Sequence, residues 1–241
     1  MKRIRLGEFL VEKGWVKNRH EAFVVVTEGR VFIEGQKAVS PAQFIDPEAK
    51  IELREAKKFV GRGAIKLAAA LEKFGVEISG KVCADVGAAT GGFTEILLRE
   101  GAKKVYAIDT ARGKLAPKIR NDPRIVVMEE TDIRHLDTLP NSVDFITIDV
   151  SLITLRQILP HAARFLKKDG EVIALFKPQY ETRDPKILRH GVVKDDSARE
   201  ELLARFLQWA REHGWQILGT MESPIHGGEG NVEYLIYLNQ E

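Results

Sequence analysis

Cysteine is almost missing from this chain of 241 residues: Cys83 stands alone. No disulfide can form within it, and the thiol falls in an apolar stretch where a small buried side chain is its ordinary role. That usage fits a reducing compartment, so a cytoplasmic location is the expectation. Long apolar runs are also lacking, and none approaches the roughly 20 residues that a membrane-spanning helix needs. The basic start Met1-Lys2-Arg3-Ile4-Arg5 leads into Leu6 to Trp15, which carries Glu8, Glu12 and Lys13, so no secretory leader is expected. Neither sign of charge dominates: 37 Lys and Arg against 35 Asp and Glu give a formal net charge of +2. Any surface for a polyanion must therefore be local. No His/Cys cluster suggests a metal centre, and there are no internal repeats or low-complexity tracts.

Residues 1–58 read as a small α+β unit, 59–63 as a linker, and 64–241 as a larger α/β domain. In the first unit, Leu6, Phe9 and Leu10 form one helical stripe and Ala22, Phe23 and Val26 another, with Gly29 ending the second helix. Val31-Phe32-Ile33, a turn at Glu34-Gly35, and Ile51-Glu52-Leu53 read as short strands. Lys2, Arg3, Arg5, Lys17, Arg19 and His20 on the two helices could grip a phosphate backbone. The pattern Arg5-Leu6-x-x-x-Leu10, Gly14, Arg19-x-x-Ala22, Gly29-Arg30-Val31-x-x-x-Gly35 resembles the small RNA-binding domain shared by a small-subunit ribosomal protein, pseudouridine synthases and tyrosyl-tRNA synthetases. Glu34 stands where that domain often has Asn. The resemblance implies that Arg3, Arg5, Lys17, Arg19 and Arg30, with Arg62 of the linker, face RNA.

After the linker, Ile65, Leu67, Leu71 and Phe74 form a helix face with Lys66 off that stripe. Strands are expected near 81–86, 103–109, 124–128, 143–149, 170–177, 215–222 and 232–238, with helices near 91–100, 112–121, 152–167 and 196–213. Such alternation implies a seven-stranded, mostly parallel sheet covered on both faces, with ligands at the carboxyl ends of the strands. Those ends carry Asp85, Asp109, Asp149 and Lys177, with Asp132 just after the third strand. The turn Asp85-Val86-Gly87-Ala88-Ala89-Thr90-Gly91-Gly92-Phe93 lets a ligand approach the backbone closely. Its glycine spacing is not the G-x-G-x-x-G of a dinucleotide site. Asp85 would repel a pyrophosphate but would suit an ammonium group, as in the methionine part of S-adenosyl-L-methionine. Asp109 is then placed for the ribose hydroxyls and Asp132 for the adenine amino group.

Methyl transfer to a base amino group usually shows an Asn/Asp-Pro-Pro-aromatic motif at the fourth strand, where this chain has Asp149-Val150-Ser151-Leu152. Carbon methylation of pyrimidines needs a cysteine nucleophile, and Cys83 lies in the wrong strand. Methylation of a hydroxyl oxygen remains, which needs a group to align the hydroxyl or take its proton. Lys177, ending the apolar strand Val172 to Phe176, suits that task, and Glu233 could pair with a lysine across the cleft. The long charged loop from Gln179 to Ser197 could close over substrate.

Gly61-Arg62-Gly63-Ala64-Ile65-Lys66-Leu67, Asp85 to Phe93, Ile148-Asp149-Val150-Ser151, Lys177-Pro178-Gln179, Gly191 to Asp195 and Gly230-Asn231-Val232-Glu233-Tyr234 together resemble the TlyA family, also called haemolysin A-like. Ala64 stands where the family usually repeats glycine. The resemblance covers nearly the whole chain. It implies a small RNA-binding domain joined to an FtsJ-like, Rossmann-like methyltransferase domain. It also implies ribose 2′-O-methylation of ribosomal RNA, at cytidines, in ribosomal subunits, from S-adenosyl-L-methionine and without a metal. The family's catalytic lysine–aspartate–lysine–glutamate tetrad maps onto Lys66, Asp149, Lys177 and Glu233. Asp85, Gly87, Gly91, Gly92, Phe93, Asp109, Asp132 and Asp149 are the expected donor-binding set. The rival readings are a non-catalytic ribosome-binding protein and a pore-forming haemolysin.

Overall fold

Short apolar segments cut by glycine turns set the architecture of this chain, and a computed structural model describes residues 3–27, 29–54 and 59–240. The chain divides into two compact units, 1–58 and 59–241. In the first, β1 (Ile4–Arg5) leads into α1 (Leu6–Glu12) and α2 (Arg19–Thr27). These are followed by β2 (Val31–Ile33), β3 (Gln36–Lys37), β4 (Phe44–Ile45) and β5 (Ile51–Leu53). Leu6, Phe9 and Leu10 of α1 meet Ala22, Val25 and Val26 of α2 in one core. Phe23, expected on the buried stripe, is instead 55% exposed; the face turns one position, and Val25 takes its place. The β2–β3 hairpin turns at Glu34 and Gly35, with φ of 49° and 79°. A left-handed pair is what a two-residue hairpin turn demands, and Asn tolerates the first position better than Glu. Glu34 is held there by accepting the Lys50 N–H at 2.5 Å.

The second unit begins at Phe59, so residues 59–63, expected as a linker, pack on this unit's own core. The Val60 N–H donates to Glu95 Oε2 at 2.7 Å. Its helices and strands are α3 (Gly63–Phe74), β6 (Val82–Val86), α4 (Gly92–Arg99), β7 (Lys104–Ile108), α5 (Pro117–Arg120), β8 (Ile125–Met128), β9 (Val143–Ile148), α6 (Leu155–Ala163) and β10 (Leu166–Phe176). Then come α7 (Pro178–Glu181), the hairpin β11 (Leu188–Arg189) and β12 (Val192–Val193), α8 (Asp196–Glu212), β13 (Trp215–Glu222) and β14 (Tyr234–Gln240). Seven strands form one sheet in the order β13-β14-β10-β9-β6-β7-β8. Neighbours from β8 to β10 run parallel, while β14 is antiparallel to both β10 and β13. Alternate side chains of each strand face opposite layers. Cys83, Val105, Ala107 and Phe145 pack with α3 and α4, whereas Ala84, Val86, Tyr106 and Ile146 pack with α6 and α8.

Three expected elements differ from the structure. The helix placed at 112–121 is only α5: Pro117 opens it at the first helical position, where a missing N–H costs nothing, and Ala116 before it is extended. The helix placed at 152–167 starts after Thr154, whose hydroxyl accepts the Arg156 N–H, and Leu166 already belongs to β10. The loop 179–197 contains part of α7 and the β11–β12 hairpin, pieces too short to show a period. No helix among the described residues is long and apolar enough to cross a membrane.

Candidate active site

Successive strands β6, β7 and β9 deliver their carboxyl ends to one side of the sheet, where β6 and β9 are neighbours and their connections leave in opposite directions. That is the switch point at which open α/β sheets bind ligands. A cavity of about 590 Å³ opens there, lined by Gly87, Asp109, Asp132, Asp149, Ile133 and Ile153 among others. Gly87 has φ of 85°, and a Cβ on it would stand 2.3 Å from the Asp149 carbonyl oxygen. The turn after β6 therefore closes directly on the end of β9, which only glycine permits.

Asp109 accepts the Ala89 and Ala111 N–H groups, each at 2.7 Å and each on a different oxygen. A carboxylate has about four acceptor directions, so Asp109 keeps one on each oxygen for neighbouring hydroxyls. Asp132 accepts the Arg134 backbone N–H at 2.9 Å and its guanidinium at 2.6–3.1 Å, and the side-chain bond to Arg134 foremost holds its carboxyl down at about 2. It is ionised at any ordinary pH. A polar acid at one end, another acid across an apolar floor, and a backbone-lined turn form a set that fits a nucleoside carrying an amino-acid tail.

Asp85 does not line this cavity. It is fully buried, and its oxygens accept the hydroxyls of Thr94 at 2.5 Å and Thr147 at 2.9 Å. Burial pushes its carboxyl up to about 6 against those bonds. Its place is beneath the glycine turn, tying α4 and β9 to β6. Gly91 caps α4 against Leu115, and Gly92 lies against the backbone of Gly63 and Ala64. Gly92 and the buried Phe93 border a recess of about 50 Å³ that Gly87 and Asp149 share.

Two lysine–carboxylate pairs complete the arrangement. Lys177 follows β10 and donates to Asp149 Oδ1 at 2.6 Å and to Ser151 Oγ at 3.1 Å. Its side chain is 10% exposed. Lys66, expected off the buried stripe of α3, is on it, and Ile65 is the exposed neighbour at 41%. Its ammonium donates to Glu233, which immediately precedes β14 and is likewise buried. Desolvating Lys66, Glu233 and Lys177 is tolerable only because each meets an opposite charge. Sequence reasoning assigned no role to Ser151, although the motif containing it was in view. It also missed Thr94 and Thr147, whose task shows only once β6, α4 and β9 are assembled.

The residues expected to face RNA are spread over both units. Arg3, Arg5, Lys17 and Arg19 are exposed on the first unit, where Arg5 lies over the Phe44 ring at 5.6 Å and Arg19 pairs with Glu8 at 3.0 Å. Arg30 is half-buried and its Nε donates to the Arg54 carbonyl at 2.9 Å. Arg62 is exposed at the start of α3 in the second unit. Lys2 lies outside the described residues.

A sheet of this order with such a site defines a methyltransferase, and residues 59–240 match the FtsJ-like methyltransferase family. The chain belongs to the TlyA family within that class. It is 38% identical to the 16S/23S rRNA (cytidine-2′-O)-methyltransferase TlyA of Mycobacterium tuberculosis, over all of this chain and 91% of that one. It is 35% identical to Hemolysin A of Brachyspira hyodysenteriae, over 97% of this chain and 99% of that one. A solved structure from Streptococcus thermophilus superposes with a TM-score of 0.74 at 34% identity, covering all of this chain and 89% of that one. The cofactor is S-adenosyl-L-methionine.

Proposed function

We propose that this chain methylates the ribose 2′-oxygen of a cytidine in ribosomal RNA, taking ribosomal subunits as substrate in the cytoplasm, with residues 1–58 as an RNA-binding unit. The observation that carries this reading is the pair of lysine–carboxylate contacts, Lys177–Asp149, whose aspartate lines the cavity, and the buried Lys66–Glu233. The names of the curated relatives supply the substrate class.

S-adenosyl-L-methionine supplies, when bound, a methyl group on a sulfonium that leaves as a neutral thioether. Asp109 would hold its ribose hydroxyls, Asp132 its adenine amino group, and Gly87 would line the passage between them. The chain's own task is to present the substrate hydroxyl in line. Lys177 has three N–H donors. Asp149 and Ser151 occupy two, which leaves one for the hydroxyl oxygen. Asp149 fixes that ammonium in place and offers its second oxygen to the hydroxyl hydrogen. Lys66, clamped by Glu233, would bring a second positive centre that stabilises the oxygen as its proton passes to that second oxygen of Asp149 and the methyl group arrives.

Lys177→Ala should abolish methyl transfer to subunits from cells lacking the protein, while calorimetry shows donor affinity near wild type. Lys177→Arg should not restore it, because a planar guanidinium cannot satisfy Asp149, Ser151 and a substrate oxygen with the same geometry. Full activity in the alanine variant would overturn the assignment.

A further inference from the structure

The segment from Arg183 to Lys194, including the β11–β12 hairpin, plays no part in the chemistry above. It carries Arg183, Lys186, Arg189 and Lys194 against a single acid, Asp184, and all five are exposed. None of the four cations is in an ion pair among the described residues. Elsewhere in the same unit, Lys81, Lys118, Arg124, Arg134 and Lys167 each sit within 3.2 Å of a carboxylate. A groove of about 390 Å³ runs between the hairpin and the start of α8, bordered by Lys186, Arg189 and Lys194. The acid at its edge, Asp195, accepts the Ala198 N–H at 2.9 Å with one oxygen.

The hairpin is clamped from two directions. Asn231, 1% exposed, accepts the Val193 N–H and donates to the Gly191 carbonyl, both at 3.0 Å. Arg199 of α8 donates to the carbonyls of Val193 at 3.3 Å and Lys194 at 3.1 Å. Asn231 lies two residues before Glu233, and its own carbonyl accepts the Gly227 N–H at 2.8 Å. The cations and the buried Glu233 thus stand on one hydrogen-bonded framework.

We infer that this hairpin is a second RNA-backbone contact, carried by the methyltransferase unit itself, in which Lys186, Arg189 and Lys194 take phosphates flanking the target nucleotide. Unpaired cations strung along an exposed hairpin suit a polyanion, since each phosphate they neutralise releases condensed counterions. Their attachment through Asn231 to the Glu233 loop gives the bound strand a fixed register relative to the lysine pairs. The inference rests on the RNA reading of the substrate.

The test is the full-length triple variant Lys186→Ala/Arg189→Ala/Lys194→Ala, with binding to protein-free rRNA measured across a salt series. The slope of log K against log salt should flatten by about 2, from three lost contacts at roughly 0.7 each, and affinity should fall by at least about tenfold. Donor affinity and turnover at saturating RNA should stay near wild type. The charge-keeping triple Lys186→Arg/Arg189→Lys/Lys194→Arg should restore the slope. A wild type that binds and methylates rRNA beside a triple variant with an unchanged slope would overturn the hairpin's role alone. A variant that loses assembled subunits but keeps protein-free rRNA would show a protein-docking surface and also overturn it. Absence of RNA binding by the wild type would instead sink the substrate reading.

Discussion

Replacing Lys66 with methionine isolates the energetics of the buried pair. The two side chains of the Lys66–Glu233 contact are 8% and 4% exposed. Methionine fills much of the lysine volume but leaves the Glu233 carboxylate buried without its partner. Breaking one side of such a pair costs about 3–5 kcal/mol. In a unit the size of residues 59–241, each kcal/mol moves the midpoint by about 2–4 °C, so thermal unfolding should begin about 6–20 °C earlier. Glu233→Gln should cost a similar amount for the opposite reason. The double variant Lys66→Met/Glu233→Gln removes both charges and should unfold within a few degrees of wild type, giving a coupling of about 3 kcal/mol or more. It should nonetheless transfer no methyl groups, so stability and catalysis come apart in one protein. Additive single effects, with no recovery in the double variant, would refute the claim that the pair is desolvated and mutually dependent. A fully active double variant would remove the pair from the chemistry.

Asp85 gives the pH prediction. Its folded carboxyl lies near 6 because of burial, against about 3.9 unfolded. Between those values the folded state holds more protons, so its contribution to stability falls as pH rises through the window from about 4 to 6, by about 3 kcal/mol in all. Asp85→Asn should flatten that slope in paired unfolding curves; an unchanged slope would mean that the site is hydrated. Asp109→Ala should weaken donor binding at least about tenfold by calorimetry, roughly 1.4 kcal/mol, and unchanged affinity would take Asp109 out of the site. The variant Arg3→Ala/Arg5→Ala/Lys17→Ala/Arg19→Ala should lower ribosome affinity and its salt dependence while leaving donor affinity intact. Full-rate methylation of subunits by that variant would give residues 1–58 another task.

The alternation of short apolar segments with amphipathic helices was enough to place all seven strands of the sheet within a few residues and to set polar groups at their carboxyl ends. That order is local information: a strand alternates in two residues, a helix in 3.6, and glycine or proline marks the breaks. The same rule mispredicted Lys66, because a periodicity count treats lysine as outward-facing. Its burial depends on Glu233, which is 167 residues away in the chain. Asp85 fails in the other direction. An acid ending a strand beside glycines looks ligand-directed, and only the assembled sheet brings Thr94 and Thr147 to occupy both of its oxygens. Likewise, the charges of the 183–194 segment were visible in the chain, but its clamping by Asn231 and Arg199 was not. The sequence by itself determined the seven strands of the sheet, most of the helices between them, and the polar residues that end the strands. Tertiary structure alone decided which charges meet, because a buried group is stable only beside its complement, and that complement arrives from a distant segment through the crossovers of the sheet.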